Sequence, residues 1–258
     1  MLKRRIIPKL LLERDARSGE NFRLVTTRQF AESKPVGDPV SQAKIYQAQN
    51  VDELIFLDIE SKGPDSSMLD CVGRLAEEIF MPITIGGGVA SLRHFEDLLS
   101  RGADKVSINS AALLDRSLIR RAADQFGSQC VVVSIDYRPS GSVGVVFSKR
   151  GSEATGLSVD EWARICEGEG AGELLLTDID RDGCQGGLDI QTIERISSMV
   201  HVPVIASGGC GLAIHFAEAM KVGASAVAAG TFFCQRDQNP MQCRAHIKNA
   251  GLPVRMKI

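Results

Sequence analysis

The chain carries one long pattern twice, and this duplication constrains its fold more than any other feature. The first copy covers residues 53–58, 82–88 and 102–110, and the second covers residues 173–178, 203–209 and 223–231. The spacing of the segments also agrees, because Gly88 and Gly102 are 14 positions apart in the first copy and Gly209 and Gly223 are 14 positions apart in the second. Self-similarity of this kind predicts a fold made of two equivalent halves.

Eight apolar runs of strand length recur along the chain, with helical patterns between them. Most of these runs are continuous and β-branched, which is typical of parallel strands buried on both faces. The predicted strands are Arg5–Leu10, Leu54–Ile59, Ile83–Ile85, Lys105–Ile108, Cys130–Ile135, Glu173–Thr177, Val202–Ala206 and Ser225–Ala229. The predicted helices are Val40–Gln49, Met68–Ile79, Leu92–Arg101, Ser117–Phe126, Ser158–Glu169, Ile190–Met199 and His215–Val222. The alternation predicts an α/β fold in which residues 1–258 form a single (β/α)8 TIM barrel with two-fold half-barrel duplication.

Composition excludes several classes of function. The net charge is -2, so nothing indicates a general attraction to nucleic acid or to a membrane surface. The apolar run after the basic N-terminus is too short for a signal peptide, and no later run has the length of a membrane span. The seven cysteines contain no Cys-x-x-Cys pair, and no His, Cys and carboxylate set has the spacing of metal ligands. We therefore expect a cytoplasmic enzyme without a metal or another cofactor.

Two long polar segments interrupt the alternation of strands and helices. Residues 13–38 follow the first predicted strand, and residues 137–156 follow the fifth. Both begin at the carboxyl end of a strand, which is the catalytic face of a barrel, so we expect them to form lids or substrate walls. Within the second segment the run Val143–Phe147 predicts a small hairpin. The alternative is that both segments are insertions without a function.

Glycines and small polar residues end four of the predicted strands. Gly-Gly-Gly at 86–88 and Ser-Gly-Gly at 207–209 would let a ligand approach the backbone closely. Asn109-Ser110 and Gly230-Thr231 lead into helix N-termini, where an anion is favoured. Together these residues predict two phosphate cups on opposite sides of the barrel mouth, and hence a bisphosphate or an extended phosphorylated ligand. The alternative is that the glycines only turn the strands into loops.

Aspartates stand at the ends of three predicted strands. They are Asp58, Asp136 and Asp178, and a carboxylate in such a place is suited to general acid–base chemistry. Asp136 is the strongest candidate because the fifth strand should bring it to the centre of the mouth. The alternative for each is a salt bridge or a hydrogen bond that holds a loop. The equivalent end of the first strand has Leu11 and no acid before Glu13, so the expected acid pair lacks one member.

Long runs spread over nearly the whole chain have a family-specific character. They are Arg4-Arg-Ile-Ile7, Gly37-Asp-Pro-Val40, and residues 52–58, 86–88, 102–109, 171–177, 179–183 and 205–209. In these runs the chain resembles the HisF family, the cyclase subunits of imidazole glycerol phosphate synthase. The resemblance implies a HisH-type glutaminase docked on the N-terminal face of the barrel. It also implies that ammonia passes through the barrel to a phosphorylated substrate at the mouth.

The resemblance also implies roles for individual residues. The family's ammonia gate, a charged ring at the base of the barrel, matches Arg5, Glu53, Lys105 and Glu173. Because the two positive and two negative groups can neutralise one another in a partly buried layer, the alternative is a purely structural plug. The family's phosphate ligands match Gly88, Asn109 and Ser110 on one side of the mouth, and Asp182, Gly183, Gly209, Gly230 and Thr231 on the other. Asp136 matches one of the family's two catalytic aspartates.

The chain departs from the family pattern at the first strand. The family's other catalytic aspartate falls at Leu11, which cannot transfer a proton, and a small or cysteine position of the family is Lys9. Losing a paired general acid typically costs about two to four decades in rate. These departures favour a HisF paralogue that passes ammonia to a different phosphorylated or nucleotide-sugar substrate. Relatives of this kind act in acetamidino-sugar synthesis for surface polysaccharides, including lipopolysaccharide.

Two other functions stay open on the sequence. One is authentic cyclase activity in histidine biosynthesis. The other is a non-catalytic scaffold that docks and activates a glutaminase. The related phosphoribosyl isomerase family, HisA, is disfavoured because it needs no ammonia gate and uses the same two aspartates, so that Leu11 counts against it equally.

Overall fold

Parallel strands arranged in a closed ring form the centre of the fold. The computed structural model describes residues 3–15, 22–60, 63–141, 143–235 and 239–254. Its strands are β1 (Arg5–Arg14), β2 (Phe22–Arg28), β3 (Glu32–Gly37), β4 (Leu54–Asp58), β5 (Ile83–Gly86), β6 (Lys105–Ile108), β7 (Val131–Ser140), β8 (Val143–Ser148), β9 (Glu153–Ser158), β10 (Glu173–Asp178), β11 (Val204–Ser207) and β12 (Ala226–Ala229). Within these residues β1, β4, β5, β6, β7, β10, β11 and β12 pair in parallel, and β12 pairs with β1 to close the ring. The predicted (β/α)8 barrel is confirmed.

Helices cover the outside of this ring and return the chain to the start of the next strand. They are α1 (Pro39–Ala48), α2 (Ser66–Glu78), α3 (Leu92–Ser100), α4 (Ser110–Leu114), α5 (Ser117–Phe126), α6 (Val159–Gly168), α7 (Ile190–Met199), α8 (Ala213–Lys221), α9 (Thr231–Gln235) and α10 (Pro240–Asn249). Each of the helices predicted from the sequence is present, with ends that agree within two residues. The helix starts predicted after Asn109-Ser110 and Gly230-Thr231 are present as the short helices α4 and α9, whereas the sequence did not indicate the C-terminal helix α10. No helix in the described part of the chain is long and apolar enough to cross a membrane.

The segment after the first barrel strand contains regular structure that the sequence did not indicate. Strand β1 continues past Leu10 to Arg14, and its second half pairs antiparallel with β2, which in turn pairs with β3. The β2–β3 hairpin thus stands on the mouth of the barrel as an extension of β1. Residues 16–21, which fall in the segment predicted to be a lid or wall, lie outside the described residues.

The segment after the fifth barrel strand forms a second antiparallel extension. Strand β7 continues to Ser140 and pairs with β8, and β8 pairs with β9. The hairpin predicted at Val143–Phe147 is therefore present, but it belongs to a three-stranded sheet rather than standing alone. Both extensions rise from the carboxyl ends of barrel strands, where the sequence predicted the walls of a site.

Side chains inside the barrel form three layers of different chemistry. Charged residues occupy the base. Above them lies a buried apolar layer of Ile7, Ile55, Val132, Leu175, Ile205, Ala226 and Ala228. The next layer toward the mouth is polar and buried, and includes Lys9, Ser107, Ser134, Thr177 and Ser207. The layers follow from strand geometry, because every second residue of a barrel strand faces the interior.

Matched contacts in the two halves reflect the duplication seen in the sequence. A Cβ atom at Gly87 would lie 2.3 Å from the carbonyl oxygen of Asp58, and one at Gly208 would lie 2.4 Å from that of Asp178. Both glycines therefore permit the same close approach of neighbouring strand ends. Likewise, Nδ1 of His94 and of His215 each accepts a 3.2 Å hydrogen bond from the backbone N–H four residues earlier. The two histidines hold the loops that precede α3 and α8.

Candidate active site

A cavity of about 530 Å³ opens at the carboxyl ends of the barrel strands. Four residues predicted for the site line it, namely Gly88, Asn109, Ser110 and Asp136. The sequence-predicted first phosphate cup and the predicted catalytic aspartate thus share one space. A cavity of this size accommodates a substrate of several hundred daltons.

Asp136 lines this cavity, and two hydrogen-bond donors contact its carboxylate. Asn109 Nδ2 donates to Oδ2 at 2.8 Å, and Ser134 Oγ donates to Oδ1 at 3.3 Å. Burial raises the pKa of Asp136 to about 6, while the charge of Lys9 and the two hydrogen bonds oppose this rise. A carboxyl group with a pKa near 6 is suited to both accepting and giving a proton around neutral pH. Asn109, which the sequence predicted as a phosphate ligand, orients this carboxylate in the present structure.

Replacing Asp136 by asparagine should stabilise the fold at alkaline pH. A pKa raised from 3.8 to about 6 on folding means that the charged form costs up to about 3 kcal/mol in the native state. That cost is present above pH 6 and disappears as pH falls below 4, because the native state then holds the proton. We expect Asp136→Asn to be more stable than the native sequence in urea at pH 8 and equally stable near pH 4. An Asp136→Asn difference in the free energy of unfolding that is constant with pH would contradict the prediction.

Lys9 is the most unusual residue of the mouth. Its side chain is only 5% exposed, and its Nζ lies 3.6 Å from Oδ1 of Asp182. Asp182 is held from the other side by Thr27, whose Oγ1 donates to Oδ2 at 2.9 Å. Lys9 lines the large cavity and also a small neighbouring one. The sequence marked Lys9 as a departure from the family but gave no indication that it would be buried.

The residues predicted for the second phosphate cup surround this small cavity. It has a volume of about 20 Å³, and its lining includes Asp182, Gly183, Gly209, Gly230 and Thr231. The space is narrow because β2 and β3 lie over it, with residues 24–27 and 36 in its wall. A volume of this size holds a water molecule but not a phosphate group. The first cup is therefore open in this conformation, and the second is covered by the β2–β3 hairpin.

Gly183 makes the close contact that seats this hairpin. Its φ is +71°, and a Cβ atom there would lie 2.1 Å from the carbonyl oxygen of Thr27. Gly183→Ala should therefore displace the hairpin and lower the free energy of unfolding by about 2–4 kcal/mol. Gly141→Ala is the matched control, because its φ is +58° and nothing lies within 4 Å of the added atom. Urea unfolding of the two variants tests this, and equal losses would show that the contact with Thr27 is unimportant.

The turn between β8 and β9 approaches the open cup. The backbone N–H of Lys149 donates a 3.1 Å hydrogen bond to Oγ of Ser110, and Lys149 and Arg150 both line the large cavity. Arg138 at the foot of this sheet is ion-paired with Asp180. Lys149 and Arg150 have no local sequence signal for a site, because a basic pair in a polar loop is usually a solvated surface. The ammonium group of Lys149 is paired with Glu153 at 2.8 Å, so among the interactions of the described residues the basic residue of this turn that adds unpaired positive charge beside the predicted cup is Arg150.

The four charged residues predicted at the base form a closed ring of ion pairs. Arg5 Nη1 lies 2.8 Å from Glu53 Oε2 and 2.9 Å from Glu173 Oε1. Lys105 Nζ also contacts both acids, at 3.0 Å from Glu53 and 3.1 Å from Glu173. Thr84, which the sequence analysis missed, donates a 2.8 Å hydrogen bond to Glu53 Oε1. The ring lies directly below the apolar layer, at the opposite end of the barrel from Asp136.

Asp58 and Asp178 hold loops. Oδ1 of Asp58 accepts a hydrogen bond from the N–H of Glu60, and Oδ1 of Asp178 accepts from the N–H groups of Asp180 and Arg181. These contacts agree with the structural alternative stated for the matched pair. In the described part of the chain, no three His, Cys, Asp or Glu side chains are grouped so that they could hold a metal ion.

Comparison with known proteins agrees with this architecture. A family model described as histidine biosynthesis protein matches residues 5–239. A protein of Prochlorococcus marinus, provisionally named imidazole glycerol phosphate synthase subunit hisF2, is 50% identical over the full length of both chains. The imidazole glycerol phosphate synthase subunit HisF of Hyphomonas neptunium is 46% identical, and the match covers 99% of this chain and 99% of that relative. The subunit HisF of Endomicrobium trichonymphae is 42% identical, and the match covers 99% of this chain and 96% of that relative. The chain therefore belongs to the HisF family, the cyclase-type subunits of imidazole glycerol phosphate synthase.

Proposed function

We propose that this chain is a synthase subunit that receives ammonia from a HisH-type glutaminase at the base of its barrel and delivers it to a phosphorylated or nucleotide-sugar acceptor at the mouth. The pathway we favour is acetamidino-sugar synthesis for surface polysaccharides. This choice rests on the identity of two residues at the mouth of the barrel. Lys9 and Leu11 lie on β1, opposite Asp136. With Lys9 and Leu11 in these places, β1 presents no aspartate opposite Asp136, whereas the family pattern has a second catalytic aspartate there.

The layers of the barrel interior support a route for ammonia. The ring of Arg5, Glu53, Lys105 and Glu173 is electrically balanced and held by short ion pairs. The apolar layer above it favours neutral ammonia over ammonium, because a charged group loses far more on leaving water. Ammonia that passed this layer would emerge beside Asp136. With an acetamido acceptor, ammonia would add to the carbonyl carbon, and Asp136 could carry protons from the added nitrogen to the carbonyl oxygen, which leaves as water and gives the acetamidino group.

The base of the barrel also offers a surface on which a glutaminase could dock. Phe80, in the loop between α2 and β5, is 88% exposed at this end of the barrel. Exposed aromatic side chains of this kind are common anchors at protein interfaces. A partner bound there would cover the charged ring and could pass ammonia into it without release to solvent.

The second candidate is authentic cyclase activity in histidine biosynthesis. It is supported by the relatives named HisF, which match along almost the whole chain at 46% and 42% identity. It is also supported by the pKa of Asp136, because a single carboxyl group with a pKa near 6 could serve as both acid and base. This candidate requires that the reaction proceed with leucine at position 11.

The test combines the purified chain, a HisH-type glutaminase, glutamine and the bisphosphate substrate of the histidine pathway. Glutamine hydrolysis and imidazole glycerol phosphate are measured together. We expect the chain to bind the glutaminase and raise its hydrolysis rate while little imidazole glycerol phosphate forms. Formation of imidazole glycerol phosphate at the rate of an ordinary cyclase would instead establish the second candidate. If the chain neither binds nor stimulates the glutaminase, a glutaminase partner is excluded for both candidates. The Leu11→Asp variant is the companion experiment, since cyclase activity appearing in it would identify position 11 as the cause of the difference.

A further inference from the structure

We propose that Arg150, in the turn between β8 and β9, is the cation that binds the phosphoryl group of the acceptor in the first cup. This inference deepens the proposed function, and its biological meaning rests on that function. It names the residue that recognises the anionic part of the substrate. Its basis is the charge balance of the large cavity and the way in which the turn is held at the rim of that cavity.

The large cavity has an excess of acidic side chains. Four carboxylates line it, those of Glu13, Asp58, Glu60 and Asp136, against three cationic side chains. A phosphoryl group is also negatively charged at neutral pH, so this lining would repel it unless a cation beside the cup offset the repulsion. The identity of that cation decides how the site recognises an anion.

Two of the three cations already interact with acids. Lys9 lies 3.6 Å from Asp182, and its charge also acts on Asp136. Nζ of Lys149 forms a 2.8 Å ion pair with a glutamate of β9. Arg150 lines the cavity and has no ion-pair partner among the described residues. Within the described lining, the cation available to an incoming anion is therefore Arg150.

The turn holds Arg150 at the rim of the first cup. The backbone N–H of Lys149 donates a 3.1 Å hydrogen bond to Oγ of Ser110, which joins the turn to the cup. Lys149 and Arg150 have φ values of +47° and +59°, in the left-handed region that residues other than glycine rarely adopt. Strain of this kind is found mostly at functional sites, where the surrounding contacts maintain it. The strained turn thus places Arg150 next to the hydroxyl group of the cup.

Packing on the other side keeps the turn in this position. A Cβ atom at Gly151 would lie 3.0 Å from Cδ1 of Ile179 and 3.3 Å from Cδ2 of Phe30. Phe30 lies between β2 and β3, so the two antiparallel extensions of the barrel meet here. The hydroxyl group of Ser152 donates a 2.7 Å hydrogen bond to the carbonyl oxygen of Lys149. The backbone of the turn therefore needs little reorganisation when a ligand binds.

The chemistry of arginine suits this position. A planar guanidinium group can donate two parallel hydrogen bonds to the oxygens of one phosphoryl group, which an ammonium group cannot do. The histidine-pathway bisphosphate and a nucleotide-linked sugar both carry phosphoryl groups. Arg150 would therefore serve the binding of either acceptor, and the inference concerns a step that precedes amination.

Binding of glycerol 3-phosphate to the full chain tests this inference without a glutaminase or turnover. Glycerol, which lacks the phosphate, is the control ligand. NMR titrations follow the backbone amide signals of Gly88 and Ser110 in the native chain, Arg150→Gln and Arg150→Lys. We expect Arg150→Gln to weaken binding of glycerol 3-phosphate by about tenfold, because a charge-assisted contact is lost. Arg150→Lys should recover part of this loss, since lysine keeps the charge but not the paired hydrogen bonds.

Two further variants show whether the effect is specific to Arg150. Lys149→Gln removes a cation from the same turn, but this cation is already ion-paired, so binding should weaken by about threefold at most. Arg101→Gln removes an exposed arginine at the end of α3, at the base of the barrel, and should bind glycerol 3-phosphate as the native chain does. Arg150 is exposed, so its substitutions should leave the fold intact, which circular dichroism verifies.

Three results would overturn the inference. They are binding by Arg150→Gln within about twofold of the native chain, equal losses for Arg150→Gln and Lys149→Gln, and native Gly88 and Ser110 signals that do not respond to glycerol 3-phosphate. The first two would leave the first cup and the proposed function intact, whereas the third would remove the cup as well. Because no glutaminase is present, a failure of docking or of ammonia transfer would not change these binding results.

Discussion

Replacing Asp136 by asparagine is expected to lower the turnover of the acceptor by about two to four decades. Asp136 lines the mouth cavity at the end of β7, and Asn109 and Ser134 fix the orientation of its carboxylate. Asparagine keeps the shape of the side chain and can still accept the hydrogen bond from Asn109, but it cannot transfer a proton. The measurement is kcat with ammonium salt as the nitrogen source, so that the glutaminase does not contribute.

The pH profile separates a catalytic role of Asp136 from a structural one. If the ionised carboxylate acts as a base, kcat should fall as pH drops below about 6, the value to which burial raises the pKa of Asp136. The residual kcat of Asp136→Asn should not show this fall at low pH. Asp124→Asn, at an exposed position of α5 outside the mouth, is the control and should keep both the rate and the profile. An Asp136→Asn variant within threefold of the native rate would exclude Asp136 as the catalytic group.

The second large effect is expected at the base of the barrel, where Glu53→Gln should cost about 3–5 kcal/mol of stability. Glu53 is only 3% exposed and is contacted by both cations of the ring. Its neutralisation leaves Arg5 and Lys105 partly buried with a single shared acid, Glu173. For a barrel of this size the loss corresponds to a fall of about 10 °C in the melting temperature. Thermal and urea unfolding measure it.

A second variant shows whether the loss comes from charge imbalance. In the double variant Glu53→Gln, Lys105→Met the remaining pair of Arg5 and Glu173, 2.9 Å apart, stays balanced. The double variant should therefore be more stable than Glu53→Gln alone. Glu78→Gln, which breaks an exposed pair with Lys44, is the control and should cost no more than about 1 kcal/mol. A Glu53→Gln loss equal to that of Glu78→Gln would mean that the ring contributes no more than a surface ion pair.

The barrel and its charged base could be predicted from the sequence because both depend on local patterns that occur twice. Continuous apolar runs identify strands buried on both faces, and the regular spacing of the runs leaves few other arrangements. The resemblance to the HisF family assigned Arg5, Glu53, Lys105 and Glu173 to the ring. Each of them stands at the N-terminal end of a barrel strand, which places it at the base of the barrel.

The upper part of the site was harder to predict because its contacts join segments that are distant in the chain. The β2–β3 hairpin has a mixed polar pattern that does not predict its position. Its position is fixed by the pairing of β2 with β1 and by the close contact between Gly183 and the carbonyl oxygen of Thr27. The amide of Asn109 was predicted to meet phosphate, yet it donates to Asp136 across the mouth. The burial of Lys9 has no local signal either, since a lysine in an apolar strand is equally compatible with a strand end at the surface. The phosphate roles of the two cups and the gate role of the ring remain predictions.

The most direct test follows the amide nitrogen of glutamine into product. The chain and a HisH-type glutaminase are supplied with glutamine labelled with ¹⁵N in its side-chain amide. Both acceptors are present in the same reaction: the histidine-pathway bisphosphate and a nucleotide-linked acetamido sugar. We expect the label to appear in an acetamidino sugar and not in imidazole glycerol phosphate. Label recovered in imidazole glycerol phosphate at the rate of an ordinary cyclase would contradict the proposal and identify the chain as an authentic cyclase of histidine biosynthesis.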